Sequence, residues 1–218
     1  MVEIYGNDLS LFSNKVKLAA NAIGTEYEFK NLDFQAGDLG KPEFLAINPV
    51  GKMPALKDGE FTLFESTSMI KYLADKQKSE LYPQELQARY TVDKWLEFVS
   101  IHIGASVTKV LFNKKFAPIM GLPVDERSME DGINFYKRFL PIVDTQLSQS
   151  KYLASDTLSL ADITLLAILD PSEVAGHDIT PYANVVKWRE ELKKEKFYTD
   201  SFKSYDDAFQ AVMASASS

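Results

Sequence analysis

Cysteine is absent from this chain of 218 residues, and that single absence removes disulfides, thiol nucleophiles, thiolate metal sites and C-x-x-C redox pairs together. Any sulfur chemistry therefore needs sulfur brought by a ligand. Histidine is almost as scarce: His102 falls on an apolar helical pattern and His177 in a loop, with no metal-ligand spacing, so both read as structural or solvated. Positive charge is in deficit. With 24 Lys and Arg against 31 Asp and Glu, a net charge of -7 and a pI near 5.0, nucleic-acid and anionic-membrane partners are disfavoured, because such partners select a basic face. No apolar run approaches the roughly 20 residues of a membrane span, and the N-terminus has no basic segment leading into an apolar one. The expectation is a soluble protein of the cytoplasm, without membrane or nucleic-acid partners. What is present is apolar mass: 45% hydrophobic and 12% aromatic residues supply a core for one large domain or two small ones.

The first third of the chain mixes strand and helix. Val2 to Tyr5 reads as a strand, and Leu11 to Ile23 as a helix with Phe12, Val16, Ala19, Ala20 and Ile23 on one face, ended by Gly24. Tyr27 to Leu32 alternates as a second strand, and Pro42 to Ile47 makes a short helix. Residues 76 to 83 are polar and then turn at proline, as a linker would. Beyond them only helical periodicity remains, over Pro83 to Phe116, Asp125 to Ser148, Ser159 to Leu169, Pro181 to Leu192 and Tyr205 to Met213. Pro141 should kink the second of these. Ser159-Leu160-Ala161-Asp162 is a capping-box pattern, and the apolar helix after it should be the core of this half. The tail from 214 to 218 is Ala and Ser only.

The segment richest in chemical content runs from Asn48 to Ser66. Gly51-Lys52-Met53-Pro54 is a turn, Ala55 to Lys57 a short strand, Asp58-Gly59 the expected two-residue hairpin loop and Phe61 to Phe64 the return strand. Proline at the start of a strand belongs at an edge, and X-Pro is the bond that tolerates the cis form. A cis bond would turn the Met53 N–H and C=O toward an extended peptide. Ser66 then opens a helix whose unpaired N–H groups suit a carboxylate, while Glu65 suits an ammonium. Between them fits a zwitterionic amino-acid head.

Asn48-Pro49-Val50-Gly51-Lys52-Met53-Pro54-Ala55-Leu56, then Leu63-Phe64-Glu65-Ser66, then Tyr152-Leu153-Ala154 and Ser159-Leu160-Ala161-Asp162 resemble, in order and spacing, the cytosolic glutathione transferases. Trp95, Glu97, Ser100, Lys109, Phe112, Phe116 and Gly121 look most like the serine-type phi class, with theta and delta as neighbouring classes. The resemblance implies an α/β plus all-α fold: a thioredoxin-like domain over 1–78, a linker over 79–84 and an all-helical domain over 85–218. It implies a glutathione S-transferase, with glutathione as co-substrate, no tightly bound cofactor or metal, and a homodimer. Site roles follow from the same resemblance. Met53 would pair with the cysteinyl backbone of glutathione, Glu65 and Ser66 with its γ-glutamyl head, and Lys52 and Lys41 with its glycine carboxylate. Ser10 aligns with the serine that activates the thiol. Leu11, Phe12, Phe112, Phe116 and Met120 are candidates for the pocket that takes a small hydrophobic electrophile.

Each assignment has a plainer reading. Ser10 is also a good helix N-cap, Ser13 is a rival one turn on, and Tyr5 lies near the place where other classes keep an activating tyrosine, although its strand position favours packing. Phe12, Phe112, Phe116 and Met120 are core candidates by composition. Where phi-like sequences pair an arginine after Glu-Ser with an aspartate on the long helix, this chain has Thr67 and Gly104, so the pair is missing and the support of the γ-glutamyl site must differ. Two alternatives to conjugation stand: another glutathione-dependent reaction on the same site (peroxide reduction, isomerisation or dehalogenation), and a non-enzymatic binding or regulatory protein of this fold.

Overall fold

The computed structural model describes residues 1–216 except 35, 202 and 203; the last two residues of the Ala/Ser tail, 217 and 218, lie outside the described residues. Strand β1 (Val2–Gly6) runs through helix α1 (Leu11–Ile23) to a parallel partner, β2 (Tyr27–Asn31), with Ile4 opposite Phe29. A short helix, α2 (Pro42–Leu45), precedes the antiparallel pair β3 (Ala55–Asp58) and β4 (Phe61–Leu63), and the sheet order is β2-β1-β3-β4. Ile4 and Leu56 pair across β1 and β3, both wholly buried, because the alternation of β1 turns Val2, Ile4 and Gly6 to one face. The hairpin loop is Gly59-Glu60, one residue later than expected: Asp58 pairs with Phe61, and Gly59 supplies the positive φ of 63° that the first loop position needs.

Helix α3 (Ser66–Gln77) closes the first domain. The helical half begins at α4 (Leu86–Ile119, 34 residues), capped by Glu85, whose carboxylate accepts from the N–H groups of Gln87 and Ala88 at 3.0 and 2.7 Å. Its start therefore falls after Pro83. By length and composition α4 would suffice to cross a membrane, yet half of its most apolar stretch is buried inside the protein. Two π-helical turns, Val99–Gly104 and Phe112–Phe116, interrupt its α geometry. Helix α5 (Glu126–Gln149) remains helical through Pro141, and α6 (Leu160–Leu169) is buried at all ten positions. Four-residue helices α7 (Ser172–Ala175) and α9 (Lys196–Thr199) flank α8 (Ala183–Leu192), and α10 (Tyr205–Ala216) ends the described chain. Helix α1 is the hinge of the architecture: it packs on β1 and α3 on one side and on α6 on the other, which fixes the N-terminus of α1 at the junction of the two halves.

Candidate active site

The groove is assembled first by a loop. Asn48 is buried, its side-chain amide donating to the Lys52 carbonyl at 2.5 Å and its side-chain oxygen accepting from Val50 N–H at 3.0 Å, so one side chain shapes the turn that presents Met53. The Met53-Pro54 peptide is cis. Phe12, Asn48, Val50, Lys52, Met53, Pro54, Glu65 and Ser66 line a cavity of about 230 Å³. Glu65 occupies the N-cap of α3 at φ 70°, ψ 102°, a region that a residue with a Cβ enters only at a cost of about 1–3 kcal/mol. Such strain points to a function for the carboxylate, which stands beside the N-terminal N–H groups of α3. Negative charge and oriented donors thus sit side by side, the complement of an ammonium and a carboxylate on one carbon.

Met53 also lines a second cavity of about 230 Å³, together with Asn7, Leu9, Ser10, Phe34, Phe112, Phe116 and Met120. The polar and apolar chambers therefore meet at Met53, with Ser10 on the apolar side. Ser10 Oγ accepts the Ser13 N–H at 3.2 Å as the cap of α1, and among the described residues no acceptor takes its proton. Ser13 is fully buried; its hydroxyl accepts from Asn7 N–H at 3.4 Å and is packed against Gly6, where an added Cβ would approach it to 2.5 Å. The rival serine is thus sealed off from the groove.

Other expected residues distribute unevenly. Phe112, Phe116 and Met120 converge on the apolar cavity because the second π turn widens α4 there and presents both rings, Phe116 edge-on to Phe209 at 6.1 Å. Phe12 lines the polar chamber instead. Leu11 turns inward, 4% exposed, and belongs to the core. Lys52 lines the groove without an ion-pair partner among the described residues, whereas Lys41 is held by Asp38 at 2.6 Å in a separate cleft with Tyr5, Glu43 and Phe44. Tyr5 donates to Glu3 at 3.2 Å, and burial followed by the neighbouring Glu3 charge raises its pKa, so its phenol is remote from the groove and hard to ionise. His177 is buried and stacked on Tyr136 at 4.1 Å, pushed down to about 4 by burial and by Lys114; His102 joins the rings of Phe98 and Phe139. Neither histidine approaches the groove.

Sequence reasoning missed Phe34, an apolar residue in the polar loop after β2, and Lys15. Lys15 is 1% exposed. Its ammonium donates to Thr67 Oγ1 at 2.9 Å, so the gap left at Thr67 is filled from α1. Gly104, the other half of the missing pair, is closely packed: an added Cβ would come to 3.1 Å of Ile168 Cδ1 on α6, which would have to give by a few tenths of an ångström.

A four-stranded βαβ-ββα sheet domain with a cis-proline edge, joined through α1 to a helical domain with a buried capped helix, is a thioredoxin-like module fused to an all-α partner. The family model for the glutathione S-transferase N-terminal domain matches residues 2–75, and that for the C-terminal domain matches residues 112–195. A probable glutathione S-transferase, GSTF2, from Oryza sativa subsp. japonica is 35% identical over 190 residues, covering 85% of each chain. The crystal structure of glutathione transferase F7 from Populus trichocarpa superposes with a TM-score of 0.85 at 27% identity, over 92% of this chain and 97% of that one. Maize glutathione S-transferase I, solved in complex with an atrazine glutathione conjugate, gives 0.83 at 28% identity, over 92% and 95%. The chain belongs to the glutathione S-transferase family.

Proposed function

We propose that the chain is a serine-type, phi-like glutathione S-transferase of the cytoplasm that joins glutathione to a small hydrophobic electrophile. The observation that carries this reading is the placement of Ser10, in the wall of an apolar cavity that shares Met53 with a chamber lined by Glu65 and Ser66. In this reading the γ-glutamyl ammonium pairs with Glu65 and its carboxylate with the N-terminus of α3 at Ser66. The cysteinyl backbone lies along Met53, and Lys52 faces the glycine carboxylate. The sulfur then falls between the two chambers beside Ser10. A thiol titrates near 8.5, and a hydrogen bond to the charged form is worth about 1.5–3 kcal/mol, so donation by Ser10 Oγ lowers that value by roughly one to two units. Much of the thiol is then nucleophilic at neutral pH.

The thiolate attacks an electrophile held by Phe34, Phe112, Phe116 and Met120, and its lone pair forms the new C–S bond as the leaving group departs with its electrons. No metal or tightly bound cofactor takes part. The boundaries proposed for the functional units are 1–78 for the glutathione-binding domain, 79–84 for the linker and 85–218 for the helical domain, and the working unit is a homodimer. Retention on immobilised glutathione followed by turnover of a chloronitrobenzene tests the reading. Retention without turnover would favour another glutathione-dependent reaction, and failure to be retained would overturn the site.

A further inference from the structure

Lys15 is a buried cation, 1% exposed, next to the groove. Its Nζ reaches Thr67 Oγ1 at 2.9 Å, one residue beyond Ser66 at the start of α3, and lies 5.7 Å from the ring centroid of Phe12, which lines the polar chamber. The side chain therefore lies directly behind the wall that carries Glu65, Ser66 and Phe12. Among the described residues no carboxylate comes within the 4.0 Å of an ion pair. Among the described residues a hydroxyl is its only hydrogen-bond partner, and a buried ammonium so placed is poorly compensated. The charged groups around it are Glu65 and Lys71 on the α3 side and Glu97 on α4; Lys71 itself is paired with Asp93 at 2.9 Å. Glu65, at the N-cap of α3, attracts this charge without an ion-pair contact, and a carboxylate seated at Ser66 would add a second negative charge at the same helix end.

Resting on the glutathione reading above, we propose that Lys15 is a positioning cation for the γ-glutamyl carboxylate, and that seating this carboxylate at Ser66 draws a proton onto the Lys15 amine. The chain of contacts is short: carboxylate to the Ser66 end of α3, Ser66 to Thr67, Thr67 Oγ1 to Lys15 Nζ. In the free protein, burial lowers Lys15 to about 7, against the pull of Glu65 and Glu97, so near neutral pH the amine is shared between its two forms. A carboxylate seated at Ser66, next to Thr67 on the groove side, favours the charged form and raises the value in the complex. By linkage, affinity is full where the free protein already holds the proton and falls as pH rises through 7 toward the value of the complex. The ligand's ammonium acts in the opposite sense by occupying Glu65; for the proton to be drawn onto Lys15 the carboxylate, one residue from Thr67, must outweigh it, and the sign of the pH dependence reads which of the two Lys15 senses.

S-methylglutathione is the suitable probe, since its blocked sulfur removes thiol ionisation from the titration. Calorimetric Kd values between pH 6 and 8.5, below the titration of the ligand amine, should show affinity falling about tenfold from pH 7 to 8.5, with proton uptake that depends on buffer ionisation heat. Lys15→Arg, charged throughout, should bind with no pH dependence beyond about twofold. Lys15→Met, of similar length and apolar, should fold and bind at pH 6.5 about tenfold more weakly than wild type. A flat wild-type profile, or an identical slope in Lys15→Arg, would overturn the proposal. Affinity rising with pH would also overturn it, because Lys15 would then be sensing the ligand's ammonium. Absence of binding at every pH would instead remove the glutathione site itself, and the inference with it.

Discussion

One oxygen of Ser10 serves two ends. Its lone pair accepts the Ser13 N–H and caps α1, while its proton remains available to a thiolate, so cap and activator are one arrangement seen from its two sides. Ser10→Ala should therefore lower both quantities: stability by about 1 kcal/mol for the lost cap, and turnover with glutathione by at least about tenfold for one lost charge-assisted hydrogen bond. Ser10→Thr, which keeps the hydroxyl, should recover most of each. Steady-state rates beside urea melts check this, and a larger rate loss in Tyr5→Phe than in Ser10→Ala would show the activating residue to be misassigned. Glu65 invites a parallel separation. Glu65→Ala and Ser66→Ala should raise the Kd for glutathione more than they slow the bound chemistry, since they hold a part of the substrate far from sulfur. Glu65→Gly should be as poor a binder as the alanine variant yet more stable by about 1 kcal/mol, because glycine relieves the positive φ; equal stability of the two would mean that position 65 carries no backbone strain.

At the scale of elements, α6 shows how much rests on one cap. The Asp162 carboxylate accepts from Ser159 N–H at 3.1 Å and Ser159 Oγ–H at 2.7 Å, from Leu153 N–H at 2.9 Å and from Trp188 Nε1–H at 3.2 Å, all buried. The cap thus ties three segments together, and the sequence pattern foretold only its local half. Asp162→Ala should cost at least about 3 kcal/mol, far above an ordinary cap, because it strands several buried donors at about 1–3 kcal/mol each; a loss near 1 kcal/mol by denaturant melts would show that the long-range bonds contribute nothing. The same division between local and distant explains what was legible in the sequence. The capping box, the proline at the edge of β3 and the acidic residue before Ser66 depend on neighbours within a few positions, so spacing revealed them. Lys15 against Thr67, and Phe34 in the wall facing Phe112, depend on which elements cross, and periodicity carries no record of that. The bond of Lys41 to Asp38 escaped the sequence for the same reason, since nothing local tells a loop lysine which cleft it borders. The hairpin loop slipped by one residue because glycine fits either central position until pairing across β3 and β4 decides.

For the whole molecule, the question is what would hold two copies together. Large apolar side chains stand exposed on both domains, with Val50 51% and Phe64 38% exposed in the first and Tyr90 65% and Ile101 58% exposed along α4. In the proposed homodimer the first domain of one subunit meets the long helices of its partner, which would cover such residues. The arginine and aspartate that would join the active site to that interface are absent: Thr67 is occupied with the buried Lys15 of its own chain, and Gly104, with no side chain, packs closely on Ile168 of α6. Neither position can offer a charge across the interface. Association should accordingly rest on apolar burial, which salt does not screen, whereas exposed ion pairs weaken as the Debye length shrinks from about 10 Å at 0.1 M to about 3 Å at 1 M. Sedimentation at micromolar concentration should give a dimer whose dissociation constant changes little over that range, and Tyr90→Glu should weaken it. A monomer at those concentrations would remove the dimer. Dissociation as salt rises would show instead that charges elsewhere on the two subunits hold it together.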